Sequence, residues 1–225
     1  MTGITNLIKS RNSKRSFTDK DLSDEIILDI LNTARYTSSG GNIQPWKVTV
    51  LRNKKVISQI GEEVSKLILE EADFQQDIQY YPTEWKKEYT YRRAMTGKEF
   101  YNVCKINRKN KEERLKSWID NFYFFEAPVV FLIHLDKIFT ESSTGMLMDI
   151  GAFMQTILLK CEELGLGTCP QGAIGEYSKV IKKIVDIPDT DALVLAISIG
   201  YEDEHVKNTF KPNRIEIEEF VKFIV

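Results

Sequence analysis

Apolar residues recur along this chain in two rhythms, and the switches between them outline its architecture. Within residues 24–36, Ile27, Ile30, Leu31 and Ala34 fall on one side of a helix. Within residues 145–164, Ile150, Phe153, Met154, Ile157, Leu158 and Cys161 form a second stripe of the kind that faces a core. Gly165 follows it, where a helix end favours a residue that tolerates positive φ. Further helices are expected over residues 5–10, 54–71 and 177–185, with a short one over 216–223. Residues 46–51, 129–135, 166–169 and 193–200 are short apolar runs that read as strands, the third broken by Pro170 and Gly172. Strands mixed with helices through long connections predict an α+β domain or an α/β domain with a mixed sheet.

The breaks between these elements hold the candidate chemistry. Residues 38–46 read Ser38-Ser39-Gly40-Gly41-Asn42-Ile43-Gln44-Pro45-Trp46. A helix ends there, a glycine pair permits positive φ and close approach, and two amides precede a strand. The plain reading is a helix cap and a tight turn; the other is a loop that closes on a ligand. Near the N-terminus, Arg11, Asn12, Ser13, Lys14, Arg15 and Ser16 crowd cations and neutral donors into one segment. Such a run is either a solvated turn or a phosphate site, since the arginine fork donates two parallel hydrogen bonds. Lys211, Pro212, Asn213 and Arg214 form a second basic cluster, and the two can meet on one anion. Pro170, Gln171 and Gly172 follow the long helix and the third strand, where backbone N–H groups can point into a cleft.

Composition narrows the class. The 225 residues, 42% of them hydrophobic, suit one substantial core, and the formal net charge of −2 argues against general nucleic-acid binding. Cys104, Cys161 and Cys169 are scattered, and with only His134 and His205 they make no zinc pattern, so no metal is expected. Cys169 reads as a small buried residue, and His134 as a core or surface histidine and not a catalyst. No run has the character of a signal peptide or a membrane span, which predicts a reduced cytoplasmic protein. No Gly-x-Gly-x-x-Gly signature is present, so a dinucleotide would visit as a substrate.

Taken in order, these segments resemble the FMN-dependent nitroreductase family. Arg11, Ser13, Arg15 and Phe17 match its N-terminal Arg-x-Ser-x-Arg/Lys-x-Phe pattern. Ser39, Asn42, Gln44, Pro45 and Trp46 match its Pro-Ser-x-x-Asn-x-Gln-Pro-Trp loop, although Ser38 stands where proline is usual. The Gly165 to Gly172 segment, the strand ending in Gly200-Tyr201 and the late Arg214 complete the set. Residues 121–128 and 148–155 are similar to the nitrobenzoate reductase-like branch.

The resemblance implies a single α+β domain over residues 1–225, with a mixed central sheet flanked by helices in an intertwined homodimer. It implies tightly bound FMN, with NAD(P)H as a transient hydride donor and ping-pong reduction of nitroaromatics, quinones or similar electrophiles. By position, Arg11, Ser13 and Arg214 would hold the phosphate with help from Asn12, and Arg15 would lie near the pyrimidine end of the ring. Ser38, Ser39, Gly40 and Asn42 would come from the partner. Pro170 would shape the third loop, whose Gln171 and Gly172 N–H groups would reach N5 and O4, so no side chain need act as an acid or base. A helical excursion over about residues 72–120 would cover the site with its aromatics, and an arm over about 202–225 would pack on the partner. The aromatic and basic residues of 74–118 are diluted by Glu84, Glu88, Glu99, Glu112 and Glu113, so nucleic acid is not the expected partner, nor is a membrane. A flavin-dependent dehalogenase or enoate reductase of the same fold, and a flavin-binding protein without turnover, are the alternatives.

Overall fold

The computed structural model describes residues 3–73, 75–141 and 144–225. Four strands, β1 (Lys47–Leu51), β2 (Val129–Asp136), β3 (Gly167–Gln171) and β4 (Asp191–Gly200), form one sheet in the order β1-β2-β4-β3. All three ladders are antiparallel, so the expected mixed sheet is corrected. Parallel pairing among the described residues is confined to a single bridge, Ser13 to Thr168.

The side-chain alternation of β2 explains the layers. Val129, Phe131, Ile133 and Leu135 face one core, shared with Ile27 and Ile30 of α2 (Asp24–Ala34) and Ile150, Phe153 and Ile157 of α7 (Met146–Glu163). Val130 and Leu132 face the other, shared with Ile57, Ile60 and Val64 of α3 (Lys54–Leu69) and Ile181 of α8 (Ser178–Val185). Helices therefore cover both faces of the sheet, and β2 is buried on each side.

Most element ends fall within two residues of expectation, and the exceptions have causes. β3 runs through Pro170 to Gln171 because it lies at the sheet's edge, where a missing N–H costs no ladder bond. The expected helix over 216–223 is one 3₁₀ turn, Ile217–Glu219, and Phe220, Phe223, Ile224 and Val225 stay exposed. α1 (Ile4–Ser10) leads into the N-terminal basic segment.

The excursion carries α4 (Lys87–Val103) and α5 (Lys111–Ile119), neither with a buried residue, while the four-residue α6 (Ile138–Glu141) follows β2. Phe74, where the aromatic stretch begins, lies outside the described residues. An ionic cluster anchors the base of the excursion. Asp77 accepts from the buried Lys182 at 3.0 Å, from Lys137 at 3.1 Å and from the Leu193 N–H at 3.2 Å. Burial works to raise the Asp77 carboxyl, but these donors hold it below the ordinary value. Beside it, Asp191 pairs with Lys47 at 2.7 Å and with His134 Nδ1 at 2.8 Å. Burial depresses His134 and outweighs Asp191, so the ring is neutral, and of the two expected places, core and surface, it takes the core.

Two outcomes follow from this cluster. Lys182→Met should lower unfolding free energy by about 3 kcal/mol, because a buried carboxylate loses its closest charge. Adding Asp77→Asn should recover about 1 kcal/mol or more of that loss. Urea titration checks both, and a loss under about 0.5 kcal/mol would class the pair with surface ion pairs. The unfolded chain binds more protons than the folded one at His134 below about pH 6.5, and at Asp77 and Asp191 below about pH 4. Stability should therefore fall in two stages on acidification, read as melting temperature against pH.

Candidate functional site

The N-terminal basic segment is held in place by backbone and amide bonds. Lys14 N–H donates to Thr168 O at 2.8 Å, so the segment runs beside β3. Phe17 bridges Glu202, and Thr18 N–H donates to Tyr201 O at 2.9 Å. Asn12 Nδ2 donates to the carbonyls of Asn208 at 2.9 Å and Phe210 at 3.0 Å. Asn208 returns the tie. Its Oδ1 accepts from Arg15 N–H at 2.6 Å, and its Nδ2 donates to Ser16 O at 2.8 Å and Asp203 O at 2.9 Å. Nothing in the sequence marked Asn208, an asparagine in a polar turn whose burial only tertiary structure reveals.

The result is a meeting of charges. Arg11 is half-buried, and burial first, then the nearby Arg214, pulls its guanidinium below the ordinary arginine value, with Glu162 and Cys169 opposing. Two cations from opposite ends of the chain thus share one region. Arg214 curls so that Nη1 donates to Pro212 O at 2.7 Å. Asn12 has its amide nitrogen committed and positions the segment around it. Burial keeps the Cys169 thiol up and protonated, so it packs as expected.

Arg15 lies nearby over the Phe100 ring, 4.8 Å from its centroid. It lines a cavity of about 360 Å³ together with Tyr81, Arg93, Trp118, Gln171 and Gly172. Pro170 and Phe210 complete this wall, and Phe210 meets Phe100 edge to face at 5.4 Å. Gln171 is fixed from both ends of its amide: Nε2 donates to Asn121 O at 2.6 Å, and Oε1 lies 2.6 Å from the Ser198 hydroxyl. At Gly172 a Cβ would stand 2.6 Å from the Tyr80 ring, so a larger residue there would have to push that ring aside. The excursion therefore reaches the cavity through Tyr80 and Tyr81 and through α4.

The glycine-asparagine loop is elsewhere. Gly41, Asn42 and Gln44 take φ of 57°, 56° and 53°, so left-handed backbone is spread over three residues and not confined to the glycine pair. Gln44 N–H donates to Ser39 Oγ at 3.0 Å, and Gly40 N–H donates to Asp149 Oδ2 at 3.2 Å. Ser38, Gly40 and Asn42 are exposed. Asp149 sits near the start of α7, whereas Glu162, which Arg11 senses, sits at its end. At about 1.5 Å per residue, the two places are about 20 Å apart along that helix. Within one chain the structure brings Arg11, Arg15, Gln171, Gly172 and Arg214 toward one another and leaves residues 38–42 at the far end of α7.

The donor set fits a flavin mononucleotide. Two convergent guanidiniums suit a phosphate dianion. The glycine at 172 keeps backbone N–H groups within reach of a flat ring. Aromatic walls suit what stacks on that ring.

The chloronitrobenzene nitroreductase of Comamonas testosteroni is 29% identical, the match covering 98% of this chain and 96% of that protein. The 4-nitrobenzoate reductase of Pseudomonas putida is 28% identical over 97% of this chain and 94% of its own length. Among solved structures, the FMN and NADPH-dependent nitroreductase NfnB from Sphigopyxis sp. strain HMH superposes with a TM-score of 0.93 at 25% identity, covering 100% of both chains. The sequence model of the nitroreductase family matches residues 8–201, and the protein belongs to that family.

Proposed function

We propose that this protein is an FMN-dependent oxidoreductase that uses NAD(P)H to reduce nitroaromatics, quinones or similar electrophiles. The observation that carries the reading is the convergence of Arg11 and Arg214, whose mutual repulsion an anion would relieve. The named activities of the full-length relatives support it. FMN, when bound, would supply the two-electron hydride chemistry that links the nicotinamide donor to the electrophile.

The chain's own residues bind, orient and tune. Arg11 and Arg214 would neutralise the phosphate, Ser13 would donate a hydrogen bond to it, and Asn12 holds the segment that carries Arg11. Arg15 would set positive charge beside the pyrimidine end of the ring, where reduction builds negative charge. The backbone N–H groups of Gln171 and Gly172 would donate to the ring edge, and the amide ties of Gln171 to Asn121 and Ser198 keep that strand end rigid. Pro170 lines the same wall of the cavity. No side chain is needed as an acid, because water supplies protons to the product.

One chain provides only part of this site. Residues Ser38, Ser39, Gly40 and Asn42 complete it from a second copy, which places two sites at the ends of paired α7 helices in a homodimer. The exposed Phe220, Phe223, Ile224 and Val225 give the C-terminal end of the arm an apolar face for that partner. Its first part, through Phe210, is tied to its own N-terminal segment. We read residues 1–225 as one domain, with the excursion as the roof of the site. No helix among the described residues is long and apolar enough to cross a membrane, and the three thiols are free, which favours a reducing cytoplasm.

The purified protein should be yellow, bleach under anaerobic NADH or NADPH, and recover its colour on addition of a nitroaromatic. A colourless protein indifferent to FMN would end the assignment, and a flavoprotein that never bleaches would favour a binding role. Arg214→Ala should weaken FMN binding about ten- to a hundredfold. Its melting temperature should hold or rise, because Arg11 loses a repelling neighbour. Asn208→Ala should instead cost about 2 kcal/mol or more of stability as well as FMN affinity. Flavin fluorescence titration and thermal melts separate the two variants.

A further inference from the structure

Arg93 stands on the cavity wall, and nothing in the cofactor reading employs it. Its Cζ lies 4.9 Å from the Tyr81 ring centroid and 5.3 Å from that of Trp85. Two rings thus hold the guanidinium and leave its donors available. Among the described residues, Arg93 has no salt bridge and no side-chain hydrogen bond. The carboxyl whose field reaches it is Glu176, a buried side chain that does not line the cavity. The chain carries a formal charge of −2, yet this cavity is lined by Arg15 and Arg93 and by no described aspartate or glutamate. Arg15 is spent on the cofactor. Beyond those ring contacts, this second cation in an otherwise aromatic and neutral wall has no hydrogen-bond partner among the described residues.

We propose that Arg93 selects acceptors that carry an anionic substituent, a carboxylate, on the aromatic ring. The ring stacks among the cavity's aromatics while the guanidinium donates two parallel hydrogen bonds to the carboxylate. A neutral nitroaromatic enters the same cavity without that contact. The inference rests on the reductase reading and names its substrate class. The phosphate of a nicotinamide donor is the other anion of suitable chemistry, and the two half-reactions tell the two apart.

The test uses the full-length FMN-loaded protein and its Arg93→Gln and Arg93→Lys variants. Values of kcat/KM are measured for 4-nitrobenzoate and nitrobenzene, and for NADH and NADPH. Binding of benzoate, which is redox-inert, is followed by flavin fluorescence. The 4-nitrobenzoate to nitrobenzene ratio should fall about tenfold in Arg93→Gln, the fold-change for loss of a charged hydrogen bond at an open site. The benzoate Kd should rise by about the same factor. Arg93→Lys should restore part of both, since it keeps the charge and loses the fork. The NADPH to NADH ratio should stay constant. An unchanged acceptor ratio, or a loss that falls on NADPH over NADH, overturns the proposal. If the wild-type protein reduces neither nitroaromatic, the reductase reading fails, and a benzoate Kd that Arg93→Gln leaves unmoved then removes the anion site as well.

Discussion

Two buried asparagines, Asn12 and Asn208, carry the ends of the chain to one place. Four of their hydrogen bonds join the segment after α1 to the segment after β4, and a fifth, from Asn208 to Asp203 O, folds the latter back on itself. At about 1 kcal/mol each, they hold the segment that carries Arg11 against the run of chain that leads to Arg214. The fold therefore spends neutral hydrogen bonds to hold Arg11 and Arg214 together. A dianionic phosphate turns their repulsion into attraction, so the same bonds that stabilise the chain also pre-organise its anion site.

The sheet supplies the rigidity on which this depends. β2 and β4 are buried on both faces, and β3, at the edge, presents its outer side to the N-terminal segment. Gln171 and Gly172 close that strand at the cavity, and Ser198 of β4 fixes Gln171 from within. On the opposite side, the Asp77 and Lys182 pair clamps the base of the excursion to α8 and β4. Tyr80 and Tyr81 follow only a few residues later, so the clamp also sets where the aromatic roof meets the cavity. α4 and α5 bury nothing themselves, so the roof rests on scattered ties, among them the Asp77 clamp, the contacts of Phe100 with Phe210 and Arg15, and the Arg92 to Glu219 ion pair.

Much of this was legible in the sequence. The periodicities of Ile27, Ile30 and Ala34 and of Ile150, Phe153 and Ile157 marked the helices that flank the sheet, and the ordered motifs pointed to the family. Arg11 and Arg214 were paired from their chemistry, and the structure brings them close. The sheet's pairing was not legible, because alternation within a strand says nothing of its neighbour's direction. Pro170 misled because an edge strand tolerates what a central one does not. Asn208, Asp77 and Lys182 left no local signal, since burial of a polar residue is a property of the packed chain. Arg93 was visible only as one cation in a basic, aromatic stretch; its place on the cavity wall depends on how the excursion folds back.

The sharpest test compares FMN with riboflavin, which lacks the phosphate, in a double-mutant cycle of Arg11→Ala and Arg214→Ala. The account predicts that wild-type protein binds FMN more tightly than riboflavin. Either substitution should remove most of that preference, and the double variant little more, because both arginines act on one anion. Riboflavin affinity should change little throughout. Losses that are equal for FMN and riboflavin, or strictly additive between the two sites, would mean that the arginines do not share a phosphate.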